Sequence, residues 1–203
     1  MKKLFLFAFV SLIVLAGCSA PKPVKTIENL KAGIKGETTA SAKYAAFAEK
    51  ARAEGLDTVA KLFDAASKAE SIHAANHTKV LEGLGEKMEA FKPEFEVKTT
   101  AENLQAAIDG ETYESTTMYP QFLIDAKTEN VEKATKSFTW ALDTEKKHQE
   151  FYKAALAAVQ SNTENTLPFV YEVCPVCGNT YDQTKVDEKC AFCNTSREKF
   201  SVI

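Results

Sequence analysis

The sequence predicts a mainly α protein, a four-helix bundle followed by a small domain built on four cysteines. Three observations carry that prediction. Four long stretches repeat apolar and small residues at helical spacing, and each has a glutamate at mid-length. Two of them carry Glu-x-x-His, as Glu70-Ser-Ile-His73 and Glu145-Lys-Lys-His148. The C-terminal segment holds Cys174, Cys177, Cys190 and Cys193 as two Cys-x-x-Cys pairs.

The chain opens with Met1-Lys2-Lys3 and runs apolar from Leu4 to Leu15 with only Ser11 interrupting. That is a charged start and a hydrophobic segment too short for a comfortable membrane span. It ends Leu15-Ala16-Gly17-Cys18, the pattern of a bacterial lipoprotein signal in which Cys18 is lipidated and becomes the first residue. No Arg-Arg pair precedes the run, so export of an unfolded chain is expected. The expectation is an extracytoplasmic lipoprotein that meets the membrane only through its anchor. Loss of residues 1–17 removes two lysines and no acidic residue, leaving 186 residues and moving the formal charge from −3 to −5. With no basic run and no basic aromatic face, a nucleic-acid partner is excluded.

Residues 18–25, polar with two prolines, read as a tether. The bundle is assigned to 26–160. Its first helix presents Leu30, Ile34, Glu37, Ser41, Tyr44, Ala48 and Ala51 on one face and ends at Gly55. Asp57 is placed to cap the second, whose face runs Val59, Leu62, Phe63, Ala66, Glu70, His73, His77 and Val80 until Gly83 and Gly85. Residues 86–99 contain Pro93 and no helical stripe, and read as a crossover. Thr100 is placed to cap the third helix, with Leu104, Ile108, Glu111, Glu114 or Ser115, Met118 and Phe122 facing inward. Pro120 is expected to kink it. After a break near Asn130, Val131, Phe138, Leu142, Glu145, His148, Tyr152, Leu156 and Val159 mark the fourth.

A glutamate inside every apolar stripe needs an explanation, because a buried carboxylate costs several kcal/mol unless it is paired or binds a cation. The chain also repeats itself. Glu28 to Thr38 matches Glu102 to Thr112 at an offset of 74, and the Glu-x-x-His motifs recur at 75. Two helical hairpins related by duplication would each supply one Glu and one Glu-x-x-His, the donor set of a two-metal site in a bundle core. Symmetry breaks at Glu114, whose counterpart is Ala40. A carboxylate on one side only would let one metal change ligands with oxidation state.

Residues 161–170 read as a linker, and 171–203 as the cysteine domain. Two Cys-x-x-Cys pairs separated by 12 residues can close a tetrahedral four-sulfur site for Fe or Zn. Two disulfides compete with that reading in an exported chain, but a disulfide within Cys-x-x-Cys closes a tiny loop and stabilises little.

Together Glu37, Glu70-x-x-His73, Glu111-x-x-Glu114, Glu145-x-x-His148 and the paired Cys-x-x-Cys motifs resemble the rubrerythrin family, from about Thr26 to Phe200. The resemblance implies a ferritin-like bundle holding two Fe, fused to a rubredoxin-like domain with one Fe on Cys174, Cys177, Cys190 and Cys193. It also implies peroxidase activity: reduction of hydrogen peroxide to water, with electrons from an unidentified donor passing through the four-cysteine iron. In that family the two domains usually meet across a dimer, so a homodimer or larger homo-oligomer is implied. Tyr44 and Tyr119 match positions beside the family's metal pair and, with Glu114, are assigned to the catalytic surroundings. There are departures. The second pair, Cys190-Ala-Phe-Cys193, lacks the proline and trailing glycine often seen in rubredoxins, which admits zinc. His77 falls outside the ligand pattern and is placed at the surface or behind the ligands. An exported chain is itself unusual in the family. The alternatives are a ferroxidase that stores iron, or a metal-binding lipoprotein with a structural zinc site.

Overall fold

A computed structural model describes residues 21–203. The signal peptide, Cys18 and the start of the tether lie outside the described residues. Two long antiparallel hairpins form the bundle. The first pairs α1 (Val24–Ala53) with α2 (Asp57–Gly83); the second pairs α3 (Thr100–Tyr113) and α4 (Tyr119–Thr128) with α5 (Glu132–Gln160). An extended crossover over 84–99 joins them, as its composition predicts. The ends of α1, α2, α4 and α5 fold alike. Gly55, Gly85, Asn130 and Asn162 each turn left-handed, and the following amide reaches back to a carbonyl of the last turn. Among the described residues no helix is long and apolar enough to cross a membrane.

Two apolar clusters fill the bundle. One surrounds Tyr44, Phe47, Leu62, Phe63, Leu104 and Tyr152; the other surrounds Leu30, Ile34, Leu81, Tyr119, Phe122 and Phe138. Glu37, Glu70, Glu111 and Glu145 are all buried within this interior. The helices thus clamp a charged layer with hydrocarbon.

Four local expectations need correction. The tether ends sooner, since α1 begins at Val24. Leu56, not Asp57, occupies the cap of α2, and Asp57 is its first helical residue. The cap of α3 is Thr99, not Thr100: its hydroxyl accepts the Glu102 amide, and the Glu102 carboxylate returns to the Thr99 amide. Lastly, Pro120 does not bend a continuous helix. Residues Glu114–Met118 widen into a π-helical turn in which the Tyr119 amide bonds the carbonyl of Glu114, five residues back. Pro120 has no N–H to offer the preceding turn, and the widened turn takes up the mismatch ahead of it.

The C-terminal domain is a three-stranded antiparallel sheet with order β2-β1-β3, from β1 (Tyr171–Val173), β2 (Thr180–Asp182) and β3 (Ser201–Val202). Buried Glu172 is held by the Arg197 guanidinium at 2.9 and 3.2 Å from Nε. The domain packs on its own chain's bundle. Tyr171 meets Phe151 edge-on at 5.7 Å, and Asn76 of α2 donates to the Val176 carbonyl at 2.9 Å. The two domains are thus in contact within the chain.

Replacing Thr99 with Ala removes the acceptor of the Glu102 amide and one arm of the capping box. The expected cost is about 1 kcal/mol, read as a lower urea midpoint with an unchanged denaturant slope.

Candidate metal centre

Two groups of four donors stand side by side in the bundle core. Glu37, Glu70, His73 and Glu145 form one, and Glu70, Glu111, Glu145 and His148 form the other, with donor atoms in each within 4.8 Å of one another. Glu70 and Glu145 belong to both. The helical spacing explains the arrangement: each Glu-x-x-His places its carboxylate centrally and its imidazole one turn away, facing opposite halves. His73 Nδ1 lies 2.9 Å from Glu70 Oε2 and 3.0 Å from Glu145 Oε1. His148 Nδ1 lies 3.1 Å from both Glu70 Oε1 and Glu145 Oε2. Both rings therefore aim Nδ1 inward.

The electrostatics of the donor cluster are those of a site short of positive charge. Burial, then the charges of Glu145 and Glu70, push the Glu37 carboxyl up to about 8. Burial and the same two neighbours drive Glu111 well above the usual carboxylate range. For Glu70 burial works the same way, but His148 and His73 outweigh it and hold it at about 2. Burial opposes the charge on His148, yet Glu70 and Glu145 raise it to about 9. Glu37 Oε2, Glu70 Oε1, Glu111 Oε2, both Glu145 oxygens and His148 Nδ1 are buried without an aligned hydrogen-bond partner among the described residues. Unpaired buried carboxylate oxygens grouped in one place fit cations far better than they fit a packed core.

The remaining expected residues fall around this pair of quartets. Tyr44 donates to Glu111 Oε1 at 2.7 Å and Tyr119 donates to Glu37 Oε1, so each tyrosine orients a carboxylate of the opposite hairpin. Glu114 lies outside both quartets, half-buried on the π-helical turn. It is still near enough that, after burial, Glu37, Glu145 and Glu70 raise its carboxyl well above the usual range. His77 is not at the surface. It is fully buried behind the ligands, with Nδ1 2.7 Å from Ser137 Oγ and Nε2 3.0 Å from Tyr119 Oη. Burial, then the neighbouring charge on His73, holds it down at about 3, so the ring is neutral.

The four cysteines are free thiols gathered at one point. Cys174 and Cys193 sulfurs are 3.5 Å apart, and those of Cys177 and Cys190 3.4 Å. A disulfide needs about 2.05 Å, whereas sulfurs on a tetrahedral metal with bonds of about 2.3 Å stand about 3.8 Å apart. The spacing fits one metal ion and not two disulfides. The two Cys-x-x-Cys turns are equivalent. The Gly178 amide bonds the Cys174 carbonyl at 3.0 Å and the Asn194 amide bonds the Cys190 carbonyl at 2.9 Å. Asn194, at φ 61°, takes the left-handed place that a trailing glycine would fill.

The seating of this domain was not legible in the sequence. Gly178, at φ 81°, lies so close to the bundle that a Cβ there would overlap His73 Nε2 and stand 2.7 Å from its Cδ2. Thr180 Oγ1 is 2.9 Å from His148 Nε2, and Asn179 accepts from Lys147 Nζ at 2.7 Å. One short segment thus touches the outer nitrogens of both histidines, directly after Cys177. The only local signal was Gly178 itself, which reads equally well as a turn residue.

Comparison with known proteins agrees with this geometry. Residues 28–156 match the Rubrerythrin family model, and residues 1–19 match the prokaryotic membrane lipoprotein lipid attachment site. Nigerythrin of Nitratidesulfovibrio vulgaris is 36% identical over 185 residues, covering 87% of this chain and 85% of its own length. Rubrerythrin-2 of Clostridium acetobutylicum is 32% identical over 180 residues, covering 88% and 97%. A mixed-valence nigerythrin structure superposes with a TM-score of 0.79 at 31% identity over the whole of both chains, and nigerythrin has also been solved in an all-ferrous state. A bacterioferritin of Desulfovibrio desulfuricans, 20% identical with a TM-score of 0.61 over 74% of this chain and 88% of its own, shares the fold. The bundle is ferritin-like, it carries a carboxylate–histidine donor set for two irons beside a four-cysteine site, and the chain belongs to the rubrerythrin family.

Proposed function

We propose that this chain is a lipid-anchored, extracytoplasmic peroxidase of the rubrerythrin type. It reduces hydrogen peroxide to water with two protons and with two electrons that enter at the four-cysteine site from a separate donor. The observation that carries the reading is the seat of Gly178 and Thr180 on His73 and His148. A storage protein gains little from four cysteines pressed against its metal ligands, whereas a reductase needs that closeness.

In this reading Glu37, Glu70, His73, Glu111, Glu145 and His148 hold two irons, with Glu114 a further carboxylate within reach. Cys174, Cys177, Cys190 and Cys193 hold a third. Bound iron supplies one-electron redox chemistry at both sites, and Lewis acidity toward peroxide oxygen in the bundle. The chain's own residues set the conditions. Glu70 and Glu145 fix the spacing of the two halves by belonging to both quartets. Tyr44 and Tyr119 hold Glu111 and Glu37 in place through their hydroxyls. The apolar clusters on either side keep bulk water from the centre. Around the cysteines, Tyr181 donates to Cys190 Sγ at 3.4 Å, and Thr195 Oγ1 sits 3.0 Å from Cys193 Sγ. Such bonds stabilise negative charge on sulfur and favour the reduced state.

With Cys18 as the lipidated residue, only a few residues separate the anchor from Val24, so the bundle stands close to the membrane. Homo-oligomeric assembly belongs to the reading as well.

Three outcomes test it. Glu70→Gln removes a carboxylate common to both quartets, so the bundle should fall from about two irons to less than one, with the four-cysteine iron retained and peroxide turnover lost; metal analysis and a peroxidase assay read both. Gly178→Ala forces the two sites apart without touching a sulfur. Oxidation of the reduced four-cysteine iron by peroxide, followed by stopped-flow absorbance, should slow at least about tenfold while its visible spectrum stays unchanged. An unchanged rate would sink the relay. Iron loading should also release protons. Glu37 at about 8 and His148 at about 9 hold protons at pH 7 that ligation must displace, so a pH indicator should record fewer released above pH 9 than at 7.

A further inference from the structure

The second Glu-x-x-His motif carries a side chain that neither donor set claims. Lys147 stands between Glu145 and His148 on α5, half-buried and facing the cysteine domain. Its counterpart in the first motif, at the offset of 75, is Ile72, so the ligand pattern does not ask for a cation there. Lys146 beside it is exposed and pairs with Asp143 at 3.1 Å, whereas Lys147 pairs with no carboxylate among the described residues. Lys147 reaches both Cys-x-x-Cys loops instead. Its Nζ donates to Asn179 Oδ1 at 2.7 Å, just past the first loop, and lies 4.8 Å from the ring centre of Phe192 inside the second. The ring of Tyr181 is 4.4 Å away.

The hydrogen bonds that follow run in one direction. An ammonium has donors and no acceptor, so the Asn179 atom facing Lys147 is the carbonyl oxygen and the amide nitrogen faces away. That nitrogen donates to Tyr181 Oη at 2.6 Å, and the Ala191 amide donates to the same oxygen at 2.9 Å. With two donors aimed at it, the phenol oxygen accepts twice, and its own proton goes to Cys190 Sγ at 3.4 Å. Asn179 and Tyr181 are both buried, so water does not compete for these groups. The Asn179 nitrogen itself lies 3.8 Å from the same sulfur. A positive charge on the bundle thus ends, three hydrogen bonds later, at one sulfur of the four-cysteine site.

We propose that Lys147 is a positioning residue for electron transfer, which acts through Asn179 and Tyr181 to raise the reduction potential of the iron held by Cys174, Cys177, Cys190 and Cys193. Four thiolates around ferric iron leave one negative charge, and two once a single electron has arrived from the separate donor. No bond is made or broken, and no proton moves. The reduced site therefore gains more than the oxidised one from a nearby ammonium and from a fixed O–H···S bond. A cation at the head of a hydrogen-bond chain also polarises, and so strengthens, the bond at its end. A raised potential lets weaker reductants supply the electron. Because Lys147 belongs to the bundle and Asn179 to the cysteine domain, the effect exists only while the two are in contact. The proposal rests on the reading of the four cysteines as a redox-active iron site, and not on peroxide as the oxidant.

A potentiometric titration of the full iron-loaded chain, followed by the visible absorbance of the four-cysteine iron, tests this directly. Lys147→Met removes the charge and the donor together. It should lower the ferrous-to-ferric ratio at a fixed poise at least about tenfold, which is about 59 mV for one electron, with iron content and band positions unchanged. Lys147→Arg keeps the charge and should restore most of that loss. Tyr181→Phe should lower the ratio as well. Because both residues act on one sulfur, the double variant Lys147→Met/Tyr181→Phe should lose less than the product of the two single effects. Single effects that multiply in full overturn the route through Asn179 and Tyr181. The remaining failures are distinct. A wild-type couple that Lys147→Met leaves unmoved overturns the proposal alone, whereas a wild-type chain with no titrating iron band removes the iron reading and the proposal with it.

Discussion

The whole molecule is arranged around an imbalance of charge. Glu37, Glu70, Glu111 and Glu145 are buried in one layer with His73 and His148, and Glu114 lies nearby. Burying a single ion costs several kcal/mol after relaxation, so a layer of this kind calls for compensating positive charge. The same crowding raises the Glu37 and Glu111 carboxyls by burial and by their carboxylate neighbours, and raises His73 and His148, against burial, through the glutamates around them. The unpaired oxygens converge where these donors would hold two cations. The apolar clusters on either side are the other half of the same constraint, since hydrocarbon makes the layer costly when empty and selective when filled.

The four-cysteine domain answers a second requirement. Its sheet is tiny, and its sulfurs are placed by two equivalent turns; the contact with the bundle brings them beside the carboxylate–histidine layer. Contact is made by backbone and small side chains at Gly178 and Thr180, directly after Cys177, against the outward nitrogens of both histidines. The histidines that aim Nδ1 into the quartets are thus touched by the cysteine domain on their outer nitrogen. Lys147, inside the second Glu-x-x-His motif, adds a cation over the rings of Tyr181 and Phe192 at 4.4 and 4.8 Å. A single helical turn carries both a ligand pair and an anchor for the neighbouring site.

Much of this was legible in the sequence because it is local. A period of 3.6 places Glu70 with His73 and Glu145 with His148 on shared faces whatever surrounds them, and the offset of 74–75 shows the hairpins to be copies. What stayed hidden depends on contacts between distant segments. His77 lies on the apolar stripe of α2, yet its role comes from Ser137 and Tyr119 on other helices. Gly178 reads as a turn glycine until the domain is docked. Pro120 signals a disturbance but does not say that it takes the form of a widened turn at Glu114. Thr99 and Thr100 are equivalent by residue type, and only the return of Glu102 selects the first.

Duplicated halves that bind alike but differ at Glu114 suit a centre whose two metals have different tasks, and every part of that account depends on which metals occupy which donors. The most direct measurement is anomalous diffraction from crystals of the mature chain, collected at the iron and the zinc edges. The account predicts two iron peaks, one in each quartet sharing Glu70 and Glu145, and a third among the four sulfurs of the same chain. A zinc peak among the cysteines, or a single iron in the bundle, would contradict it.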